Sequence, residues 1–231
     1  MLYFILLVIC FLPMVIIVPM KIIGKKNLPK KGNFILTCNH ASNWDPVIIY
    51  ARLPRKYFTM AKVELYKNKL FGSFLKAFHA FPVKRGGNDI ESVKYTLKTL
   101  KQGKRTLLIF PEGTRAKSDD YEELKNGTAM FALKTSKPIV PVTFVKKNKL
   151  FRRNVMIIGK PYVLNDMEEF KDKHVTKDLL NSASEIIGNK MKELRDNYLK
   201  EQENVKRHRN SRKQKEAKNN QNSKEVGVKE W

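Results

Sequence analysis

The 231-residue sequence predicts an α/β domain with a mixed, largely parallel sheet flanked by helices. Three observations carry this expectation. Short apolar segments of buried-strand type, such as "TLLIF" at 106–110, alternate with segments whose apolar residues recur three and four apart. Helix-start and helix-stop residues separate the two kinds. Both ends differ sharply from the middle: an uncharged run opens the chain and a polar, basic stretch closes it. The length suits one domain with a real core plus such appendages.

The elements follow in chain order. "MLYFILLVICFLPMVIIVPM" carries no charge over residues 1–20. A helix of about 20 residues spans roughly 30 Å, the hydrocarbon thickness of a bilayer. Pro13 and Pro19 argue against a straight helix, so the segment can span, re-enter, or fold as two halves about Pro13. A secretory signal needs a basic start and a small-residue cleavage site, and neither is present. Residues 1–20 are therefore expected to anchor the protein in a membrane. Lys21, Lys25, Lys26, Lys30 and Lys31 follow and predict that the domain after them faces the cytoplasm.

"NFILTCNH" at 33–40 reads as a buried strand. "DPVIIYARL" at 45–53 reads as a helix with Asp45 at its N-cap and Pro46 at its first turn. "YFTMA" at 57–61 is a strand, "ELYKNKLFGSFLKAF" a broken helix, and "AFPV" at 80–83 another strand. A helix is expected over 88–101, with Asp89 as cap, Ile90, Val93, Leu97 and Leu100 on one face, and Gly103 as stop. "RTLLIF" is a buried strand, "GTAMFALKTS" a helix, and "PIVPVTF" and "NVMIIG" two more strands. A long helix is expected from Lys177 to about Lys200. Residues 21–200 thus form the domain. Beyond them, 201–231 is basic and rich in Asn and Gln, a disordered tail or a frayed helical extension.

The chain holds 46 Lys and Arg against 22 Asp and Glu, a formal net charge of +24. Such an excess calls for an anionic partner: a membrane surface, a phosphorylated substrate or nucleic acid. The two cysteines, Cys10 and Cys38, form no disulfide framework, and no Cys/His spacing suits zinc.

Candidate chemistry sits in four places. In "CNHASNWDP", His40 precedes Asp45 by five residues. A hydroxyl needs a base that titrates near working pH, and imidazole starts at about 6.5. A carboxylate on its other nitrogen fixes the tautomer and stabilises the imidazolium. The turn-rich "ASNWDP" can bring the two together, though the same residues also read as a loop histidine beside a helix cap. Ser42 lacks a nucleophile elbow, and Cys38 is expected to point into the sheet. "FPEGTR" at 110–115 ends a buried strand, where backbone amides around Gly113 can form an anion nest beside Arg115. "FPVKRGG" at 81–87 ends another strand with Lys84 and Arg85, and arginine grips phosphate bidentately. Lys62, after "YFTMA", is either a phosphate ligand or a surface lysine.

Together these blocks are far more specific than any one of them. In their order, with "KPIVPV" after them, the chain over about residues 21–160 resembles the 1-acyl-sn-glycerol-3-phosphate (lysophosphatidic acid) acyltransferase family of the glycerolipid acyltransferase superfamily. The resemblance implies the glycerol-3-phosphate acyltransferase-like fold. It implies that His40 is the general base and Asp45 its charge partner, with Asn39 the residue that commonly precedes the histidine. It assigns Lys62, Arg85, Glu112, Gly113, Thr114 and Arg115 to acceptor binding, and Pro141 to structure or the acyl chain. The implied reaction needs no metal or bound cofactor. Acyl-ACP or acyl-CoA is its co-substrate, lysophosphatidate its acceptor and phosphatidate its product. The implied partners are an anionic membrane, both substrates and acyl-carrier protein, without specific nucleic acid.

Two rival readings keep parts of the pattern. The acceptor can be another lysophospholipid, a lyso-amino-acid lipid or glycerol 3-phosphate. A membrane-tethered protein that binds nucleic acid or a ribosome would use the basic C-terminal run instead.

Overall fold

The computed structural model describes residues 13–84, 89–114, 124–171 and 173–226. Among these residues seven strands form one sheet in the order β1-β7-β6-β2-β5-β3-β4. They are β1 (Met20–Ile23), β2 (Ile35–Cys38), β3 (Tyr57–Lys62), β4 (Ala80–Val83), β5 (Thr106–Ile109), β6 (Ile139–Phe144) and β7 (Asn154–Ile158). The five strands β6, β2, β5, β3 and β4 are mutually parallel. β7 pairs antiparallel with β6, and β1 pairs parallel with β7. The sheet is therefore mixed and mostly parallel, as the sequence predicts.

Helices cover both faces because the central strands are apolar on both. Along β2, Ile35 faces one core while Leu36 and Cys38 face the other; β5 and β6 alternate in the same way. The Leu36 face is covered by α1 (Asp45–Arg52) and by the end of α2 (Lys69–Ala77). The Ile35 face is covered by α3 (Ile90–Gln102), α4 (Gly127–Thr135) and the early part of α5, through Ala183, Ile187 and Met191. The helix α3 carries the expected signals: Asp89 accepts the Ser92 amide at 3.0 Å, and Gly103 closes it at φ 74°. The broken helix is also present, as a 3-10 turn at Val63–Tyr66 followed by α2, which Asn68 caps.

Three features sharpen or depart from the expectations. The apolar N-terminal run does not stay apart from the domain to residue 20. Residues 13–17 are helical, Met14 and Val18 are buried in the core, and Met20 begins β1. Arg52 satisfies the end of this short helix by donating to the Val15 and Val18 carbonyls, both at 2.6 Å. Among the described residues no helix is long and apolar enough to cross a membrane; residues 1–12 of the expected anchor lie outside them. The second feature is α5, which runs from Lys177 past about Lys200 to Val226, the helical one of the two alternatives read for the tail. No Gly or Pro occurs from Asn189 to Val226, so nothing in the sequence breaks the helix. The chain divides into two compact units, Met1–Leu194 and Arg195–Trp231, a boundary slightly before the expected one at 200/201. The third is Asp45, which is the first residue inside α1 and not its cap.

Pro141 lies in β6 opposite Thr37 of β2. The Gly159 amide donates to the Pro141 carbonyl at 2.8 Å, and Pro141 has no N–H to return the bond. Pro141 is buried where the β6–β7 ladder begins. A methyl group at Gly159 would meet Pro141 Cγ at 2.7 Å and Leu194 Cδ1 at 2.9 Å. Gly159→Ala is expected to destabilise the fold by about 1–3 kcal/mol through overpacking. Urea unfolding monitored by circular dichroism measures this, and an unchanged midpoint would contradict the packing described.

Candidate active site

The parallel strands set the positions. Cys38, Phe110 and Ala61 stand at one level of the sheet, by extension of the registers Leu36–Leu108 and Thr59–Leu108. The loops that follow β2, β5, β3 and β4 therefore leave from one edge, where α/β proteins place their sites.

The loop after β2 is pinned at its root. The Asn39 side chain pairs with the backbone of Phe144 in both directions, Nδ2 donating to the carbonyl at 3.1 Å and Oδ1 accepting the amide at 2.8 Å. This extends the β2–β6 pairing by one side chain and fixes where His40 starts. The His40 amide then donates to Glu112 Oε2 at 3.0 Å, joining the loop after β2 to the loop after β5.

The turn brings the ring and the carboxylate together. His40 Nδ1 lies 3.2 Å from Asp45 Oδ2. The same oxygen accepts the amides of Ala41 at 2.7 Å and Ser42 at 2.6 Å. Oδ1 accepts from Asn148 Nδ2 at 3.0 Å. Asp45 is wholly buried, and its position in the first turn of α1 favours negative charge there. An oxygen already accepting two amides acts as an acceptor toward the ring, so Nδ1 carries the proton. His40 Nε2 then presents its lone pair. It has no hydrogen-bond partner among the described residues, and the side chain is 16% exposed. The Phe110 ring packs against the imidazole, with centroids 4.4 Å apart. The result is an imidazole whose inner nitrogen is held and whose outer nitrogen is open, the arrangement that general-base chemistry requires.

Asp45 does not cap α1, contrary to the expectation that one of its oxygens would. Both oxygens are spent on the preceding turn, the ring and Asn148. Asn148 and Phe110 were missed as site residues by sequence reasoning. Asn148 lies 103 residues from its partner in a lysine-rich loop, and nothing in its neighbourhood marks it.

In the "FPEGTR" turn one of the amides around Gly113 is already engaged. The Gly113 amide donates to the Phe110 carbonyl at 3.0 Å and is not free for an anion. Gly113 has φ 68°, and Lys125 Cγ lies 3.0 Å from where a Cβ would stand, so glycine is required there. Glu112 is 9% exposed and faces the His40 amide; Thr114 is exposed. Arg85 and Arg115 lie outside the described residues. Lys62 ends β3 on the same edge, with Nζ 3.4 Å from Glu64 Oε1 and about half its side chain exposed. Adjacent strands are about 4.8 Å apart, so β3 stands roughly 10 Å from β2. The structure thus joins His40, Asp45 and Glu112 directly and sets Lys62 two strands away.

The two candidate nucleophiles are excluded by their surroundings. Cys38 is fully buried and approaches Asn39 Oδ1 at 3.8 Å, and burial pushes its thiol well above the ordinary range. Ser42 Oγ accepts the Trp44 amide at 3.3 Å, and no bond joins it to the ring. Among the described residues no cluster of three or more His, Cys, Asp or Glu could hold a metal ion.

Comparisons with known proteins agree with this picture. A family model described as Acyltransferase matches residues 19–145. The chain is 36% identical over 181 residues to the 1-acyl-sn-glycerol-3-phosphate acyltransferase of Bacillus subtilis (strain 168), covering 75% of this chain and 87% of that protein. It is 33% identical over 149 residues to the Streptococcus pneumoniae protein of the same name, covering 62% of this chain and 55% of that protein. The crystal structure of the 1-acyl-sn-glycerophosphate acyltransferase from Thermotoga maritima shares the fold, with a TM-score of 0.58, 24% identity, and coverage of 76% of this chain and 71% of that one.

Burial pushes the Glu112 carboxyl up from its ordinary 4.5 to about 7; the Asp45 charge adds to this, and the His40 amide works against it. The folded protein thus holds a proton that the unfolded chain has released above about 4.5. The stability this confers is complete below that value and is lost as pH rises through about 7. Glu112→Gln keeps an acceptor oxygen and removes the titration. Wild-type stability is expected to fall relative to this variant between pH 5 and pH 8, read from urea midpoints across that range. Parallel curves for the two proteins would contradict it.

Proposed function

The chain belongs to the acyltransferase family, and from that membership we propose that it acylates the sn-2 hydroxyl of 1-acyl-sn-glycerol 3-phosphate to give phosphatidate, a step of phospholipid biosynthesis. The observation that carries this reading is the His40 imidazole, tethered through Nδ1 to a buried carboxylate and open at Nε2.

His40 Nε2 takes the hydroxyl proton as the acceptor oxygen attacks the carbonyl of an acyl thioester. Asp45 stabilises the imidazolium that forms. The tetrahedral intermediate collapses, the C–S bond breaks, and the thiolate recovers the proton from His40. No protein nucleophile intervenes, in keeping with the inert surroundings of Cys38 and Ser42. Fixing two substrates in one geometry contributes heavily to such a transfer.

The donor is acyl-CoA or acyl-carrier protein; both are anionic, and the net charge of +24 favours either. Lys62, Arg85 and the Glu112–Arg115 turn receive the phosphate end of the acceptor. In this reading Lys62 exchanges its partner Glu64 for phosphate. Residues 1–12 and the lysines after Met20 hold the protein on an anionic membrane, with the catalytic domain on the cytoplasmic side.

His40→Ala is expected to lower turnover by about 10²–10⁴-fold while leaving the circular dichroism spectrum unchanged. The assay supplies lysophosphatidate with each donor and identifies the product by mass spectrometry. Near-normal phosphatidate formation by the variant would remove His40 from the base role. Arg85→Ala is expected to raise the KM for lysophosphatidate steeply and that for a zwitterionic lysophospholipid little. Equal effects on the two acceptors would assign Arg85 a role other than phosphate recognition.

A further inference from the structure

The loop joining β6 to β7, residues 145–153, reads "VKKNKLFRR". It leaves the sheet at the edge that carries His40, because β6 runs parallel to β2. Asn148, within it, holds Asp45 Oδ1. Among the described residues no other side chain of the loop is bonded to His40, Asp45 or Glu112. Leu150 is 48% exposed and Phe151 is 75% exposed. Lys146, Lys147, Lys149, Arg152 and Arg153 surround them, all exposed, and none is ion-paired with a described residue. No acidic residue occurs from Val145 to Asn165.

The tip of this loop is a built structure. The Asn154 side chain accepts the Lys149 amide at 2.9 Å and donates to the carbonyls of Lys149 at 2.9 Å and Arg152 at 2.7 Å. Phe151 has φ 55°, a conformation that bulky residues avoid. Its amide is fixed to the Ile17 carbonyl at 2.7 Å. The fold thus holds a large aromatic side chain in water on a strained backbone, a combination that points to a function for the tip.

The bond to Ile17 says where that tip stands. Ile17 belongs to the uncharged run of residues 1–20, and its neighbour Ile16 is 73% exposed. Leucine and phenylalanine inside a collar of cations match a bilayer interface, with apolar side chains at the acyl boundary and cations among anionic headgroups. An acidic protein surface would satisfy the cations alone and would not account for a position beside the most apolar segment of the chain.

We propose that the β6–β7 loop is a membrane contact that seats Leu150 and Phe151 in an anionic bilayer and, through Asn148 and Asp45, fixes the height of His40 above it. This rests on the reading of a membrane-borne acceptor, whose sn-2 hydroxyl lies at that same interface. The loop sets the depth at which base and hydroxyl meet.

The test reads insertion and needs no turnover. Full-length protein carrying Cys10→Ser and Leu150→Cys is labelled with an environment-sensitive fluorophore; Cys38 is buried and does not compete. A second protein carries the label at Lys104→Cys, on the opposite edge of the sheet. Each is mixed with vesicles of equal parts phosphatidylglycerol and phosphatidylcholine. The expected result is a blue-shifted emission at position 150, quenched by lipids spin-labelled near the headgroup, with no shift at position 104. Pure phosphatidylcholine vesicles should give a smaller shift. Water-like emission at position 150 on protein-bound vesicles would overturn the proposal. So would a shift produced only by adding acyl-carrier protein, which would make the loop a protein-docking surface. Failure of the acyltransferase reading would appear separately, as the wrong lipid product.

Discussion

The site depends on one buried carboxylate. Asp45 has no exposure to solvent, so its charge is tolerable only where hydrogen bonds replace water. It receives four, from two backbone amides, the His40 ring and Asn148. Each does structural work as well as electrostatic work. The amides of Ala41 and Ser42 close the turn, the ring bond sets the tautomer, and Asn148 draws in the loop after β6. Bonds to a charged group are each worth about 1.5–3 kcal/mol, so losing the carboxylate would release the turn and the ring together.

The sheet makes this arrangement possible by supplying positions and not chemistry. β2 lies between β5 and β6, all three parallel, so the loops after them emerge side by side. The His40 amide reaches Glu112 on one flank, and Asn39 reaches Phe144 on the other. Cross-bracing from both neighbours holds a six-residue loop more firmly than its own turn could. It also brings a second acid, Glu112, against the His40 loop, where burial pushes its carboxyl well above the ordinary carboxylate range.

Much of this was legible in the sequence, and the remainder shows what kind of information a sequence withholds. Strands and helices announced themselves through apolar spacing and through caps such as Asp89 and Gly103, because those signals are local. The pairing of His40 with Asp45 was legible as a possibility, since both lie within one turn. Which atoms Asp45 would bond was not legible: an aspartate before a proline is read as a cap, and only the folded turn shows its oxygens facing backward. The Gly113 amide closes its own turn and so is not one of the amides open to an anion, a competition that residue types cannot decide. Asn148 was hidden by distance along the chain. The continuation of α5 past Lys200 was legible only as one of two alternatives, since polarity suits a disordered tail and a helical extension alike and no residue there breaks a helix.

The long-range brackets also have a consequence for the order of events during synthesis. The Asn39–Phe144 and Asp45–Asn148 bonds close loops of more than 100 residues. Contacts of that separation form late, after the intervening chain has been made and docked. A ribosome-bound chain that has emerged only as far as β5 holds every residue of the His40–Asp45 turn and lacks β6, which braces it. The bracing of the His40–Asp45 turn therefore arrives with the insertion of β6 beside β2, well after the motif itself has left the ribosome.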